Sequence, residues 1–314
     1  PAGRPIGVAP NFVAALKLAE TVASTDSTVL LSGASGTGKE VVARYIHELS
    51  ERTEGPFLSI NCGALPEGLL ESELFGHVKG SFTGAVKDKD GLLVAAAGGT
   101  FLLDEIGETS PATQVKLLRA LQEREVIPVG ATKPVPVHAR IIAATNRDLE
   151  EGIKRGDFRS DLYYRLNVIQ LRLPQLRERK EDIPLLARYF LDSRAESDGA
   201  DQSMDISDAA MDALVEYGWP GNVRELENAL ERAAVVATGS SVTRDSLPER
   251  VREAPPTRLA AEPIADNPTM EVIERAYILW VLQAEGGNKS RAAEVLGIDP
   301  STLYRKLNRY GIAE

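Results

Sequence analysis

The segment Gly33 to Glu40, GASGTGKE, constrains the fold of this chain more than any other stretch. It follows the apolar run Thr28 to Leu31 and precedes a stretch with helical periodicity, Val41 to Ile46. Glycines with this spacing, between a strand and a helix, let backbone N–H groups surround a phosphate chain. Lys39 adds a mobile cation beside the positive helix N-terminus. The segment, called the phosphate loop below, therefore predicts a binding site for ATP or GTP in an α/β domain.

One position departs from the general pattern G-x-x-x-x-G-K-[ST]. Glu40 stands where a Ser or Thr hydroxyl usually contacts magnesium. A glycine-rich turn without a ligand would have a similar composition, but the spacing and the order of strand, loop and helix favour a nucleotide site. The residues assigned to that site are Gly33, Ala34, Ser35, Gly36, Thr37, Gly38, Lys39 and Glu40.

Apolar runs alternate with helix-like segments along the first half of the chain. The runs that we interpret as strands lie at residues 28–31, 57–60, 98–103, 139–144 and 168–173. Strands that alternate with helices are typical of a parallel sheet covered by helices on both faces. Residues 1–173 are therefore expected to form an α/β domain.

Several of these strands end in polar residues. Asp104 and Glu105 follow one strand, Asn61 follows another, and Asn146 lies just beyond a third. Open α/β sheets bind ligands at the carboxyl ends of their strands, and an NTPase needs one acid near magnesium and another that polarises water. A solvated acidic turn would look similar, but the position of Asp104 and Glu105 relative to the phosphate loop favours the catalytic pair.

The middle of the chain is expected to be helical. Residues 174–248 contain no convincing strand and are interpreted as a helical lid, in which Arg224 lies one turn inside a helix that follows Trp219. Residues 249–268 are rich in Pro and Ala, which is typical of a linker. The sequence thus predicts a helical lid followed by a linker.

Residues 269–314 have the pattern of a helix-turn-helix domain. Helices are predicted at 270–284 and 289–296, followed by a turn at Gly297 and a third helix that starts at Asp299 and Pro300. Local basic charge on the last two helices favours DNA, although a protein-binding module with a solvated charged face would look similar. The candidate DNA contacts are Lys289, Ser290, Arg291, Ser301, Thr302, Tyr304, Arg305, Lys306 and Arg309.

Composition restricts the other functional classes. The 314 residues carry a formal net charge of -10, which argues against a general polyanion binder and makes any DNA contact local. The single cysteine, Cys62, excludes an internal disulfide and fits a reducing compartment.

The chain has no apolar run near ~20 residues and no signal-peptide core. We therefore expect a cytoplasmic protein with no membrane partner. Since Pro1 stands in place of methionine, we expect an excised or processed chain.

Nearly the whole chain resembles one family, the bacterial enhancer-binding proteins of the NtrC type, which activate transcription with sigma-54. GASGTGKE is similar to the family's phosphate loop, in which Glu after Lys is usual. GSFTGA resembles the GAFTGA loop that engages the sigma factor, although Ser81 replaces Ala and Val78 stands where an acidic residue is common. The residues that this resemblance assigns to sigma-factor binding are Gly80, Ser81, Phe82, Thr83, Gly84 and Ala85.

Without the resemblance, the GSFTGA segment is ambiguous. Its glycines allow a mobile loop that presents Phe82 and Thr83, or a surface turn whose Phe folds back into the core. The residue pattern alone favours the surface turn, and only the resemblance favours the mobile loop.

The resemblance also implies catalytic roles. Lys39 would bind the phosphates of ATP, and Asp104 and Glu105 would hold Mg²⁺ and activate water. Asn61 would keep Glu105 out of line until a switch occurs. Asn146 would act as sensor I.

Three arginines take roles from the same resemblance. Arg224 would act as sensor II, which contacts the nucleotide. Arg159 and Arg165 would act on the ATP of a neighbouring subunit, because an arginine supplied in trans stabilises charge on the transferred phosphate. A homo-oligomer, from a dimer to a hexameric ring, is therefore implied.

The family implies an AAA+ P-loop NTPase core with a helical lid and a Fis-type helix-turn-helix domain. The expected function is an ATPase that binds upstream enhancer DNA and converts the closed complex of the sigma-54 RNA polymerase holoenzyme to the open complex. Another AAA+ machine, such as an unfoldase or chelatase subunit, would not explain GSFTGA beside a helix-turn-helix. A DNA-binding repressor that uses the ATPase domain only as a scaffold would not need intact Lys39, Asp104 and Glu105.

Overall fold

The chain divides into two compact units, Pro1–Pro255 and Pro256–Glu314. The computed structural model describes residues 4–199, 203–237, 239–253, 274, 277–282 and 288–309. The strands of the first unit are β1 (Val29–Ser32), β2 (Phe57–Asn61), β3 (Gly76–His77), β4 (Lys89–Asp90), β5 (Thr100–Asp104), β6 (Glu125–Val126), β7 (Val135–Pro136), β8 (Arg140–Thr145), β9 (Ile169–Arg172), β10 (Asp205–Ile206) and β11 (Ser241–Val242). Its helices are α1 (Pro10–Ala23), α2 (Lys39–Glu48), α3 (Glu67–Phe75), α4 (Leu92–Ala95), α5 (Pro111–Glu123), α6 (Leu149–Arg155), α7 (Ser160–Leu166), α8 (Ile183–Asp198), α9 (Asp208–Glu216), α10 (Asn222–Val236) and α11 (Glu249–Arg252).

A five-stranded parallel sheet with the order β2-β5-β8-β1-β9 organises the first unit. The predicted strands are all present in it. Side chains alternate along β1, so that Leu30 joins the core on one face while Val29 and Leu31 join the core on the other. The sheet is therefore covered on both faces, as predicted.

The strand order brings separate parts of the sequence to one edge. Because β8 lies between β5 and β1, the residues that follow Thr145 are placed between the end of β5 and the phosphate loop. The pairing of Asn61 with Asp104 puts the tip of β2 beside the tip of β5. The polar strand ends therefore meet at the carboxyl edge of the sheet, where such sheets bind ligands.

The lid has its own apolar core, formed mainly by α8, α9 and α10. Trp219 is fully buried there and donates its indole N–H to the carbonyl of Leu214 at 2.7 Å. Val251 of α11 packs into the same core, so helical structure continues past residue 248, where the sequence pattern placed the start of a linker. Residues 254–268 of that linker lie outside the described part of the chain.

The expectation that the lid contains no strand is wrong. β10 pairs in parallel with β11, and Val242 of β11 is fully buried. Each strand has only two residues and its partner lies far along the chain, so neither segment shows the alternation by which strands are recognised. Around GSFTGA, β3 and β4 form a short antiparallel pair at the base of the loop.

The second unit contains the helices α12 (Lys289–Leu296) and α13 (Pro300–Arg309), as predicted. Of the helix predicted at 270–284, Glu274 and residues 277–282 are described and are helical. Gly297 ends α12 with a φ of 64°, and the Asn288 side chain accepts the N–H groups of Ser290 and Arg291 at its start. Among the described residues, no helix is long and apolar enough to cross a membrane.

Candidate functional site

The phosphate loop folds around the side chain of its own lysine. Lys39 is 7% exposed, and its ammonium group donates to the carbonyls of Gly33 at 3.0 Å and Ala34 at 3.3 Å. Gly36 and Gly38 have φ values of 76° and 99°, which favour glycine. Burial lowers the pKa of Lys39, and the nearby carboxylates of Glu105 and Asp104 oppose that change. The cation is thus held at the loop by groups that a phosphate can replace.

The predicted acidic pair lies at the end of β5. Glu105 has a φ of 53°, which is uncommon for a residue other than glycine, and its N–H donates to Oδ1 of Asp104 at 3.0 Å. Burial raises the pKa of Glu105 above the ordinary carboxyl value, while Lys39 and a backbone hydrogen bond from Asn146 lower it. The strained backbone and these neighbours fix Glu105 beside the phosphate loop.

Mg²⁺ fits this set of residues only together with a nucleotide. Among the described residues, no group of three or more His, Cys, Asp and Glu side chains is arranged to hold a metal. Mg²⁺ in ATP-binding proteins is usually held by one or two carboxylates together with substrate phosphates. Asp104 and Glu105 beside the phosphate loop meet that requirement.

The two asparagines predicted at the strand tips lie at the same edge. The side-chain oxygen of Asn61 accepts the N–H of Gly63 at 2.8 Å. Asn146 is exposed and lines a cavity of about 500 Å³ together with Gly33 and Ala34 of the phosphate loop. Asn146 therefore faces the space next to the loop, whereas the side chain of Asn61 is engaged with its own strand end.

The lid contributes residues that the sequence did not single out. Asn222, at the start of α10, is buried with a φ of 53° and donates to the carbonyl of Ser35 at 2.9 Å. Arg179 is 2% exposed and donates to the carbonyl of Thr37 at 2.9 Å. The dipeptide Gly-Asn could have indicated an unusual backbone at Asn222, but the charged run around Arg179 resembles a solvated surface. Arg224 lies on the same helix start, close enough to lower the pKa of Lys39.

Arg159 and Arg165 do not contact the phosphate loop of their own chain. Arg165 donates to the carbonyl of Leu121 at 3.2 and 3.3 Å and lines a cavity with Thr28 and Ala139, which precede β1 and β8. That cavity lies at the amino edge of the sheet. The phosphate loop begins at the opposite end of β1, and a strand rises ~3.3 Å per residue. Arg159 is exposed and pairs with Asp161 at 2.7 Å. This pairing keeps the pKa of Asp161 below its usual range.

The GSFTGA loop projects from β3 and is closed at its base. The N–H of Gly80 donates to the carbonyl of Ala85 at 2.9 Å, and Gly80 and Gly84 have φ values of 82° and 107°. Phe82 is 40% exposed, with its ring 5.0 Å from that of His77, and Thr83 is exposed. The pattern-based expectation that Phe82 folds into the core is therefore wrong, because the loop holds this ring against His77 at the surface.

The predicted DNA contacts differ in how exposed they are. The exposed ones on α12 and α13 are Ser290, Arg291, Ser301, Tyr304 and Arg305, while Lys289, Thr302 and Lys306 are half-buried. The Lys289 ammonium lies 5.0 Å from the ring of Tyr304, and Lys306 pairs with Glu274 at 2.7 Å. The side chain of Arg309 lies outside the described part of the structure.

A parallel α/β sheet with a phosphate loop, an acidic pair and a helical lid defines an AAA+ domain, here followed in the chain by a helix-turn-helix domain. Comparisons with known proteins refine this class. The chain matches the family profiles described as Sigma-54 interaction domain over residues 6–172, AAA+ ATPase lid domain over 177–263 and Bacterial regulatory protein, Fis family, over 269–310. The chain belongs to the family of sigma-54-dependent enhancer-binding regulators of the NtrC type.

Individual relatives are similar over most of the chain. It is 51% identical to the transcriptional regulatory protein ZraR of Klebsiella oxytoca over 97% of its length and 68% of the relative's. It is 49% identical to the regulatory protein AtoC of Escherichia coli over 93% of its length and 64% of the relative's. NtrX of Brucella abortus, crystallised with ADP, has 37% identity and a TM-score of 0.75 over 98% of this chain and 70% of NtrX.

Proposed function

We propose that this chain hydrolyses ATP and uses the energy to convert the closed complex of sigma-54 RNA polymerase to the open complex, while bound to enhancer DNA. The observation that carries the proposal is the exposed GSFTGA loop on a unit that also holds a complete phosphate site. Another AAA+ machine would need the phosphate site alone. A repressor that uses the domain as a scaffold would need neither an exposed loop nor an acidic catalytic pair. The partners proposed here place the protein in the bacterial cytoplasm.

The hydrolytic step follows from the residues around the phosphate loop. Water attacks the γ-phosphorus of ATP, the bond to the bridging oxygen of ADP breaks, and Glu105 accepts the proton of the water. Lys39 and the loop N–H groups bind the phosphates, and Asn146 faces the adjoining space. Mg²⁺, held by Asp104 with the phosphates, would neutralise part of the phosphate charge.

Assembly is part of the proposal. Arg165 lies at the amino edge of the sheet, away from the nucleotide site of its own chain, which supports a role toward a neighbouring subunit. ATP turnover is therefore expected to rise more than linearly with protein concentration. Mixing Lys39→Ala chains with Arg165→Ala chains should restore some activity, because some interfaces then pair an intact loop with an intact arginine. Full specific activity in an isolated monomer would refute the role in trans.

The central test compares phosphate release with promoter opening on one preparation. We expect ATP-dependent open-complex formation at a sigma-54 promoter and none at a promoter that uses another sigma factor. ATP hydrolysis without promoter opening would favour another AAA+ machine. DNA binding without hydrolysis would favour the scaffold repressor.

A further inference from the structure

Three consecutive carbonyl groups of the phosphate loop accept hydrogen bonds from the lid. Ser35 accepts from the side-chain amide of Asn222 at 2.9 Å, and Gly36 accepts from the N–H of Val223 at 2.9 Å. Thr37 accepts from the guanidinium of Arg179, also at 2.9 Å. The carbonyl and the following N–H of a planar trans peptide point in opposite directions. Fixing the carbonyls toward the lid therefore directs the following N–H groups away from it.

Asn222 connects two segments with one side chain. Its amide oxygen accepts the N–H of Leu176 at 2.9 Å, and its amide nitrogen donates to Ser35. The residue is 1% exposed, so neither bond can be replaced by bulk water. Its left-handed backbone is tolerated by Asn, Asp and Gly but is unfavourable for most other residues. The position thus joins the first turn of the lid to the phosphate loop.

Arg179 extends the same connection to the N-terminal segment. Its guanidinium lies 4.1 Å from the centre of the Phe12 ring and 3.8 Å from the buried carboxylate of Asp182. Asp182 accepts the N–H groups of Val8 at 2.6 Å and Ala9 at 2.9 Å. Residues 8–12 and 179–182 therefore meet the phosphate loop on the side that its carbonyl groups face.

We propose that Asn222 is a positioning residue for ATP. Through the side chains of Asn222 and Arg179, the lid fixes the orientation of the peptide groups of the phosphate loop before ATP binds. This inference rests on the proposed nucleotide site. Its consequence is that breaking the connection weakens nucleotide binding more than it slows the chemical step, because Lys39, Asp104 and Glu105 remain in place. A loss of about 5- to 30-fold in ATP affinity is expected, the range for one or two hydrogen bonds of ordinary strength.

The test uses the full chain with three substitutions. Asn222→Gly keeps the left-handed backbone and removes the donor without adding charge. Asn222→Asp keeps the acceptor for Leu176 and replaces the donor to Ser35 with an oxygen. Ser207→Ala is the matched control, since the Ser207 hydroxyl caps α9 in the lid, and its loss lowers lid stability without touching the phosphate loop. For each variant, the dissociation constants for ATP and ADP, kcat, KM and the unfolding midpoint are measured.

We expect both Asn222 variants to raise the dissociation constants and KM, with kcat changed by about twofold or less. Ser207→Ala should lower the unfolding midpoint with unchanged KM. High salt should reduce only the part of the Asn222→Asp effect that comes from its added charge. Wild-type nucleotide affinity in folded Asn222→Gly, or an equal loss in Ser207→Ala, would overturn the proposal. Failure of the wild-type chain to bind ATP would instead overturn the proposed function and this inference with it.

Discussion

The phosphate loop and the GSFTGA loop are both rich in glycine, but the structure holds them in different ways. The phosphate loop is bonded to the lid as well as to its own Lys39, which is 7% exposed. The GSFTGA loop is closed by bonds within itself, from Gly80 to Ala85 and from Ala85 to Phe82. Its Phe82 and Thr83 remain exposed.

The difference shows what glycine contributes to each loop. In the phosphate loop, positive φ values at Gly36 and Gly38 orient backbone N–H groups, so the backbone forms the surface that we propose binds phosphate. In the GSFTGA loop, positive φ values at Gly80 and Gly84 bring the ends together, and the side chains between them form the surface. Changes in the first loop should therefore affect chemistry, and changes in the second should affect a partner.

The largest expected effect is at the phosphate site. Glu105→Gln keeps the size of the side chain but removes the base, so ATP turnover should fall by about 10²- to 10⁴-fold while ATP binding persists. Single-turnover hydrolysis and nucleotide titration measure the two quantities. Glu123→Gln, at an exposed partner of Arg119 on α5, serves as the control and should be close to wild type. Turnover near the wild-type rate in Glu105→Gln would assign the base to another residue.

The next effect tests the GSFTGA loop against the phosphate site. Thr83→Ala should leave ATP turnover within about twofold. It should reduce open-complex formation on the order of 10²-fold, the range for a central contact with a partner. Both are measured on the same preparation, with DNA binding as a further check.

Ser81→Ala is the matched control for Thr83→Ala, because it removes a hydroxyl from the same loop. Although the resemblance assigns Ser81 to the sigma-factor loop, its hydroxyl is buried without a hydrogen-bond partner and so is not presented to another protein. Its removal should therefore leave both activities near wild type. Wild-type promoter opening by Thr83→Ala would remove the main reason for a sigma-54 function. Loss of ATP turnover as well would show that the loop is structural.

A smaller effect extends the comparison to a second exposed surface, on α13. Arg305→Ala should weaken specific DNA binding on the order of 5- to 100-fold and reduce its salt dependence. Lys306→Ala should weaken DNA binding less, because Lys306 already forms a salt bridge with Glu274 at 2.7 Å. Titrations of enhancer DNA at several salt concentrations measure both. Equal losses in the two variants would contradict this distinction.

The smallest effect concerns pH and stability. Burial raises the pKa of Glu105, so folding favours its protonated form. The stabilisation by the protonated carboxyl is complete below the ordinary carboxyl pKa and is lost as pH rises through the raised value. Glu105→Gln should therefore raise the unfolding midpoint at pH 7, by about 2 °C or less. The gain should vanish below about pH 4. A gain that persists at acid pH would have a cause other than this carboxylate.

Much of the α/β core was predictable from local pattern. β1, β2, β5, β8 and β9 are short apolar runs with polar ends, and each forms where the sequence places it. The helices α12 and α13 carry their own N-terminal caps, at Asn288 and Asp299, so their starts also follow from adjacent residues. Local patterns suffice for these elements because the residues that specify them lie within a few positions of one another.

Other features depend on residues that are far apart in the chain. The bond from Asn222 to Ser35 spans 187 positions, and that from Arg179 to Thr37 spans 142. No periodicity connects such residues, and the charged run that contains Arg179 gives no sign of its burial. The parallel pair of β10 and β11 was missed for the same reason.

The sequence by itself determined the phosphate loop, the acidic pair at the end of β5 and the helices of the second unit, because each is specified by neighbours in the chain. Only the tertiary structure decided that the lid holds the phosphate loop, that Arg165 lies at the opposite edge of the sheet, and that Phe82 stays at the surface. These facts depend on strand order and on packing between distant segments. Burial and hydrogen bonding there are properties of the folded chain as a whole.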